Sequence, residues 1–208
     1  MKILFLATAV VALSFNAYAA ENVLIENTSK ALEAGDPAAV LKALEKQVSR
    51  NNVVAALRLG LMFRDGNVVA KDPVQARKYL KLAAEADPIR FYYKLGLTEA
   101  QFALAEMLRD GVGGPANAAA AISWFEEAAD QGYGQAQLAA AHMYMNGAGI
   151  TRSAERAFFW SSIAAHRLNG TALQQDAEKL RDLAQKQLEP RQLARARILV
   201  DDWKPKAS

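Results

Sequence analysis

The sequence predicts an all-α fold, built as a short solenoid of antiparallel helix pairs with a helical cap at each end. Three observations carry that prediction. The first is composition. Of 208 residues, 52% are hydrophobic and 23% charged, which suits a folded unit and excludes a chain disordered throughout. Alanine fills 43 positions, against 12 glycines and 6 prolines. Alanine is the best helix former and the smallest side chain that still packs.

The second observation is an internal period. Leu59-Gly60, Phe63, Gly66, Asp72, Ala76, Tyr79 and Ala83-Ala84 recur as Leu104-Ala105, Leu108, Gly111, Asn117, Ala121, Trp124 and Ala128-Ala129. They recur again as Ala140-Ala141, Tyr144, Gly147, Ser153, Ala157, Trp160 and Ala164-Ala165. A period kept at every position marks a repeat protein. The units are 52–87, 97–132 and 133–168, and residues 88–96 are an insertion between the first two.

The third is the punctuation within each unit. Asp72, Asn117 and Ser153 share one position, and each side-chain oxygen suits the N-cap of a second helix. Pro73 suits the first helical position. Gly66, Gly111 and Gly147 end the first helix, where a left-handed residue is wanted. Gly60, Ala105 and Ala141 let a neighbouring backbone come close. Tyr79, Trp124 and Trp160 are expected to fill the space between layers.

Outside the repeats the chain supplies covers, which the ends of a solenoid need. Asp36-Pro37 precedes Asp72-Pro73 by one period, so residues about 38–49 read as the second helix of an N-terminal capping half-repeat within 20–51. After Asn169-Gly170 the repeat stops. Residues 172–188 are amphipathic, Pro190 opens a last helix through Trp203, and 170–208 form the C-terminal cap. Residues 1–19 read as a secretory signal peptide: Lys2, an uncharged apolar run to Phe15, then Ala17-Tyr18-Ala19 at the cleavage site. The apolar run is too short to span a bilayer. Export to a bacterial periplasm follows as the expectation, with the outside of the cell as the alternative and no integral membrane segment after cleavage.

Several function classes are excluded by residue type. With no cysteine there is no disulfide framework, thiolate metal site or cysteine nucleophile. His142 and His166 are the only histidines, too few for a multi-histidine metal site, and no cofactor is expected. The formal charge of +3 is interspersed, whereas a nucleic-acid footprint is a clustered basic stripe. Ser162 and His166 share a helix face but lack an orienting acid and an oxyanion hole. Glu126-Glu127 read as solvated neighbours. Gly111-Val112-Gly113-Gly114 follows a helix rather than the strand a phosphate loop requires. No catalytic residue is assigned.

The spaced pattern of leucine-glycine, aromatic, glycine, acid, alanine, aromatic and paired alanines resembles the Sel-one-like repeat, a relative of the tetratricopeptide repeat. The likeness is closest at Leu59-Gly60-Leu61-Met62-Phe63-Arg64-Asp65-Gly66 and at Trp124-Phe125-Glu126-Glu127-Ala128-Ala129-Asp130-Gln131-Gly132. Val68 departs from it where the other copies have Gly113 and Gly149. The resemblance implies a curved, right-handed α-solenoid acting as a non-catalytic adaptor. It further implies roles such as an immunity factor against a type VI secretion toxin, phospholipases included, an envelope-signalling regulator or a polysaccharide-export scaffold. The cysteine-rich branch linked to β-lactamase activity is not matched.

The resemblance also puts the first helices on the concave side. Comparing units shows which positions there vary: Val54, Arg58 and Leu61, then Glu99, Ala103 and Glu106, then Gln135, Ala139 and His142. This mixed strip is either a surface for another protein or ordinary solvated surface. In the insertion, Phe91, Tyr92 and Tyr93 beside Arg90 and Lys94 are either interface aromatics or aromatics buried on the second unit. The leading expectation is a monomeric periplasmic module, an adaptor or dedicated inhibitor, that binds another protein through the concave strip, helped by the aromatic insertion. A cell-wall glycan-binding or glycan-hydrolysing protein is the rival.

Overall fold

A computed structural model describes residues 36–86 and 94–206, with the backbone alone for 94–96. The expected signal peptide, residues 1–19, and the aromatics Phe91, Tyr92 and Tyr93 lie outside the described residues. Among those residues there are nine helices and no strand: α1 (Pro37–Val48), α2 (Val53–Asp65), α3 (Pro73–Ala84), α4 (Lys94–Asp110), α5 (Ala118–Asp130), α6 (Gly134–Asn146), α7 (Ala154–Arg167), α8 (Gln174–Gln185) and α9 (Pro190–Asp202). No helix among them is long and apolar enough to cross a membrane.

The local chemistry explains these boundaries. Asp72 Oδ1 accepts from the backbone N–H of both Val74 and Gln75 at 3.0 Å. Asn117 Oδ1 accepts from Ala120 at 2.9 Å and Ser153 Oγ from Arg156 at 3.2 Å. Asp36 caps α1 in the same way, accepting from Ala39 at 3.0 Å, with Pro37 opening the helix. Within the three repeats each N-cap residue also donates its own backbone N–H back to the first helix of its unit. Asp72 donates to Phe63 O at 2.9 Å, Asn117 to Leu108 O at 2.8 Å and Ser153 to Tyr144 O at 2.9 Å. One bond at one repeat position therefore closes every hairpin. Gly66, Gly111 and Gly147 stop the first helices at φ 72°, 68° and 64°, where a Cβ would strain the backbone.

Consecutive helices pack on one another from α1 to α8, and α9 returns to pack on α7. Alanine is what lets them approach. Ala76, Ala83, Ala105, Ala121, Ala128, Ala140 and Ala164 are completely buried. One continuous core runs from α2 to α9. A smaller cluster of Val40, Leu44, Ala55, Leu59 and Tyr79 seals the N-terminal cap, with Val68 packed against it. Val68 does not take the left-handed conformation that Gly113 and Gly149 share at φ 74°, so the first inter-helix connection differs as its sequence predicts. Gly113 matters for contact as well as conformation. A Cβ there would collide with the Pro73 carbonyl at the start of the preceding unit's second helix.

One core expectation needs correction. Tyr79 and Trp160 are buried, but Trp124 is only half-buried, and its neighbour Phe125 is the fully buried aromatic of that helix. Phe125 meets Phe102 of α4 with ring centroids 5.6 Å apart. Trp124 instead edges a cleft of about 580 Å³ shared with Ala84, Gln101, Ser123 and Gln131. The residue at the facing repeat position differs as well. Tyr79 and Trp160 each meet a glutamate of the preceding unit. At that repeat position before Trp124 stands Lys81, which pairs with Glu85 on its own helix at 3.7 Å.

Candidate functional site: the groove on the first helices

The first helices of successive units, α2, α4, α6 and the capping helix α8, lie on one side of the stack. A groove of about 570 Å³ opens there between α4 and α6. Its α4 wall carries Glu99, Phe102 and Glu106, which helical periodicity places on one face. Its α6 wall carries Gln135, Ala139 and His142. Arg64 at the end of α2 closes one end, and Leu173, just before α8, lies at another edge. The floor is aromatic: Phe102 and Tyr133 meet with centroids 5.3 Å apart.

All six strip residues expected from the second and third units, Glu99, Ala103, Glu106, Gln135, Ala139 and His142, line this one groove. The first unit's residues do not join them. Val54, Arg58 and Leu61 are half-buried on α2, and Arg64, one turn further on, takes their place. Phe102, Arg109, Tyr133, Leu138 and Leu173 also belong to the groove and were not singled out from sequence. Their signal was present as aromatic and apolar residues flanking the variable positions, but they read equally well as core.

The charges in the groove are unequally satisfied. Arg64 Nε donates to Asp65 Oδ1 at 2.7 Å, and Arg109 does the same to Asp110 at 2.7 Å. Those hydrogen bonds hold both aspartates below, and both arginines above, their ordinary pKa values. His142 Nε2 lies 3.0 Å from Asp176 Oδ2, tying α6 to α8. Glu99 and Glu106 make no hydrogen bond or ion pair with any described residue. Burial pushes the Glu106 carboxyl up, against the opposing pull of Arg109 and Arg64. Burial and the charges of Glu99 and Glu106 together raise the Tyr133 phenol. The groove therefore holds two carboxylates, in the field of Arg64 and Arg109 but with no direct hydrogen-bond partner among the described residues, over an aromatic floor.

Elsewhere the remaining candidates resolve into structure. Ser162 donates to Phe158 O at 2.7 Å, a bond within its own helix, while His166 is exposed. Glu126 is not solvated as expected. It accepts from Tyr144, Arg156 and Trp160 and ties α5 to α6 and α7. The glycine-rich stretch 111–114 is the inter-helix turn. Among the described residues no group of three histidines or acids is placed to hold a metal ion.

The period and the helix-pair geometry agree with a comparison against family models. The Sel1 repeat model matches residues 53–88, 98–133 and 134–167, together about half of the chain. The chain belongs to the Sel1 repeat family. A Sel1 repeat protein from Oxalobacter formigenes has the same fold, with a TM-score of 0.56 at 25% identity over 85% of this chain and 73% of that one. A protective antigen of uropathogenic Escherichia coli displaying an SLR fold aligns with a TM-score of 0.46 at 24% identity, over 79% of this chain and 40% of its own length. No curated protein matches the sequence. Sel1 repeats are in general protein–protein interaction modules, so another protein is the expected class of partner.

Proposed function

We propose that this Sel1 repeat protein is an exported, periplasmic adaptor or inhibitor that binds one partner protein in the groove between α4 and α6 and performs no chemistry itself. The observation that carries the reading is the groove's lining. Framework positions of the repeat are alanine or aliphatic and buried, whereas the positions facing the groove change from unit to unit and present Glu99, Glu106, Gln135 and His142 around the Phe102–Tyr133 floor. Aromatic side chains and polar groups mixed on a concave surface are the usual makings of a protein-binding site. The narrower inhibitor reading, an immunity factor against a secreted toxin, rests on the family resemblance alone.

The test is capture of a partner by the purified protein from periplasmic extract, beside two variants. Ala139→Trp fills the groove. Leu82→Trp changes an exposed position on α3, a second helix. The reading expects one stoichiometric protein, lost with A139W and kept with L82W. Equal retention by both variants would move the binding surface elsewhere. Turnover of wall glycan by the unmodified protein would replace the reading with the enzymatic one.

A further inference from the structure

The lining of the groove also says what kind of segment it accepts. The chain as a whole carries a formal charge of +3, yet the charged cluster at the groove holds four acids, Glu99, Glu106, Asp65 and Asp110, against two bases, Arg64 and Arg109. Its two arginines each hold an adjacent aspartate and act on Glu106 only through space, so neither Glu99 nor Glu106 has an ion pair among the described residues. Glu106 is half-buried, where an ionised group loses hydration and a partner would restore it. Both stand beside the Phe102–Tyr133 pair, whose faces attract a cation and whose surfaces cover an aliphatic stem.

We propose that the groove is a receptor for a basic, extended segment of the partner protein, with two lysine or arginine side chains seated at Glu99 and Glu106 and their stems on Phe102 and Tyr133. The spacing sets a requirement. Seven residues along α4 separate the two carboxylates by about 10 Å. In an extended chain of the polyproline II type, with three residues per turn, residues three apart lie on one face and about 9 Å from each other. Charge complementarity of this kind governs partner choice and encounter rate more than total affinity. The inference rests on the groove being the binding site.

Short fluorescein-labelled peptides read by anisotropy test it. One carries two lysines three residues apart in an alanine–leucine–serine background. The others carry two glutamates, or two adjacent lysines, in the same background. The basic, spaced peptide should bind best. Its Kd should rise about tenfold or more in Glu99→Gln/Glu106→Gln, the loss of two paired charges, and the preference should shrink at high salt. Asp201→Asn/Asp202→Asn, which removes exposed acids from α9, should change nothing. Equal binding of all peptides, or basic binding unaffected by the glutamine pair, overturns the basic-segment inference. If A139W abolishes that indifferent binding, the groove survives as the site and only its charge preference fails. Absence of binding by every peptide also overturns the inference, and partner capture with A139W then judges the groove separately.

Discussion

The hydroxyl of Tyr144 on α6 donates to Glu126 Oε1 on α5 at 2.9 Å, across the seam between the second and third units. Arg156 donates to the same oxygen at 2.6 Å and to the tyrosine oxygen at 2.6 Å, and Trp160 Nε1 reaches that carboxylate at 3.4 Å. The N-terminal seam repeats part of this arrangement, with Tyr79 donating to Glu45 at 3.5 Å. Glu45 and Glu126 share one repeat position, as do Tyr79 and Trp160. A glutamate thus staples a unit to the aromatic of the next, and Lys81 removes the staple from the middle seam.

Glu126→Ala should therefore destabilise the protein by about 1–3 kcal/mol, the cost of leaving a buried hydroxyl without its acceptor. Urea denaturation followed by circular dichroism measures it. A loss below ~0.5 kcal/mol, the range of an ordinary surface substitution, would show that the carboxylate is merely solvated.

The aromatics of the second helices should separate by burial. Phe125→Ala and Trp160→Ala should each cost about 3–5 kcal/mol, since each empties a packed site. Trp124→Ala should cost clearly less, because the indole already borders the open cleft. Equal losses at Trp124 and Phe125 would contradict the packing described.

Gly113→Ala should destabilise by more than about 1 kcal/mol. Its backbone is left-handed, and the added methyl would meet the Pro73 carbonyl, which belongs to backbone and cannot rotate away. The matched change Gly170→Ala carries the conformational strain without the collision, since nothing lies within 4 Å of a Cβ there. A larger loss at Gly170 than at Gly113 in thermal melts would rule out the contact as the cause.

Glu106 gives a prediction with a pH sign. Its carboxyl titrates above the ordinary carboxylate range because burial disfavours the charged form. Ionisation then opposes folding, and the penalty is fully present once pH exceeds the raised folded value. It vanishes below the unfolded value, near ~4.3. Glu106→Gln should raise the melting temperature at neutral pH, and the gain should fade as pH drops through the folded value. A lower melting temperature at neutral pH would mean that Arg64 and Arg109 outweigh burial. A carboxylate kept at a cost to stability is what a binding residue looks like.

Most of the fold was legible because a repeat states its rules three times. The N-caps Asp72, Asn117 and Ser153, the stops Gly66, Gly111 and Gly147, and both caps followed from local chemistry that depends little on the rest of the chain. The groove was half legible. Unit-to-unit variation found Glu99, Glu106, Gln135 and His142, because freedom to vary marks positions outside the framework. It missed Phe102 and Tyr133, since an aromatic floor and an aromatic core look alike in one dimension. It placed the first unit's contribution at Arg58 and Leu61, whereas Arg64 reaches the groove from the end of α2. Glu126 was misjudged because its partners, Tyr144, Arg156 and Trp160, come from two other helices.

The central claim is that partner binding occurs in the groove between α4 and α6. Site-specific photo-crosslinking tests it most directly, with a benzophenone amino acid at Ala139 in the groove or at Leu82 on α3, irradiated in periplasmic extract. The account predicts one discrete crosslinked protein from position 139, suppressed by Glu99→Gln/Glu106→Gln, and none from position 82. A crosslink from position 82, with position 139 silent, would contradict it.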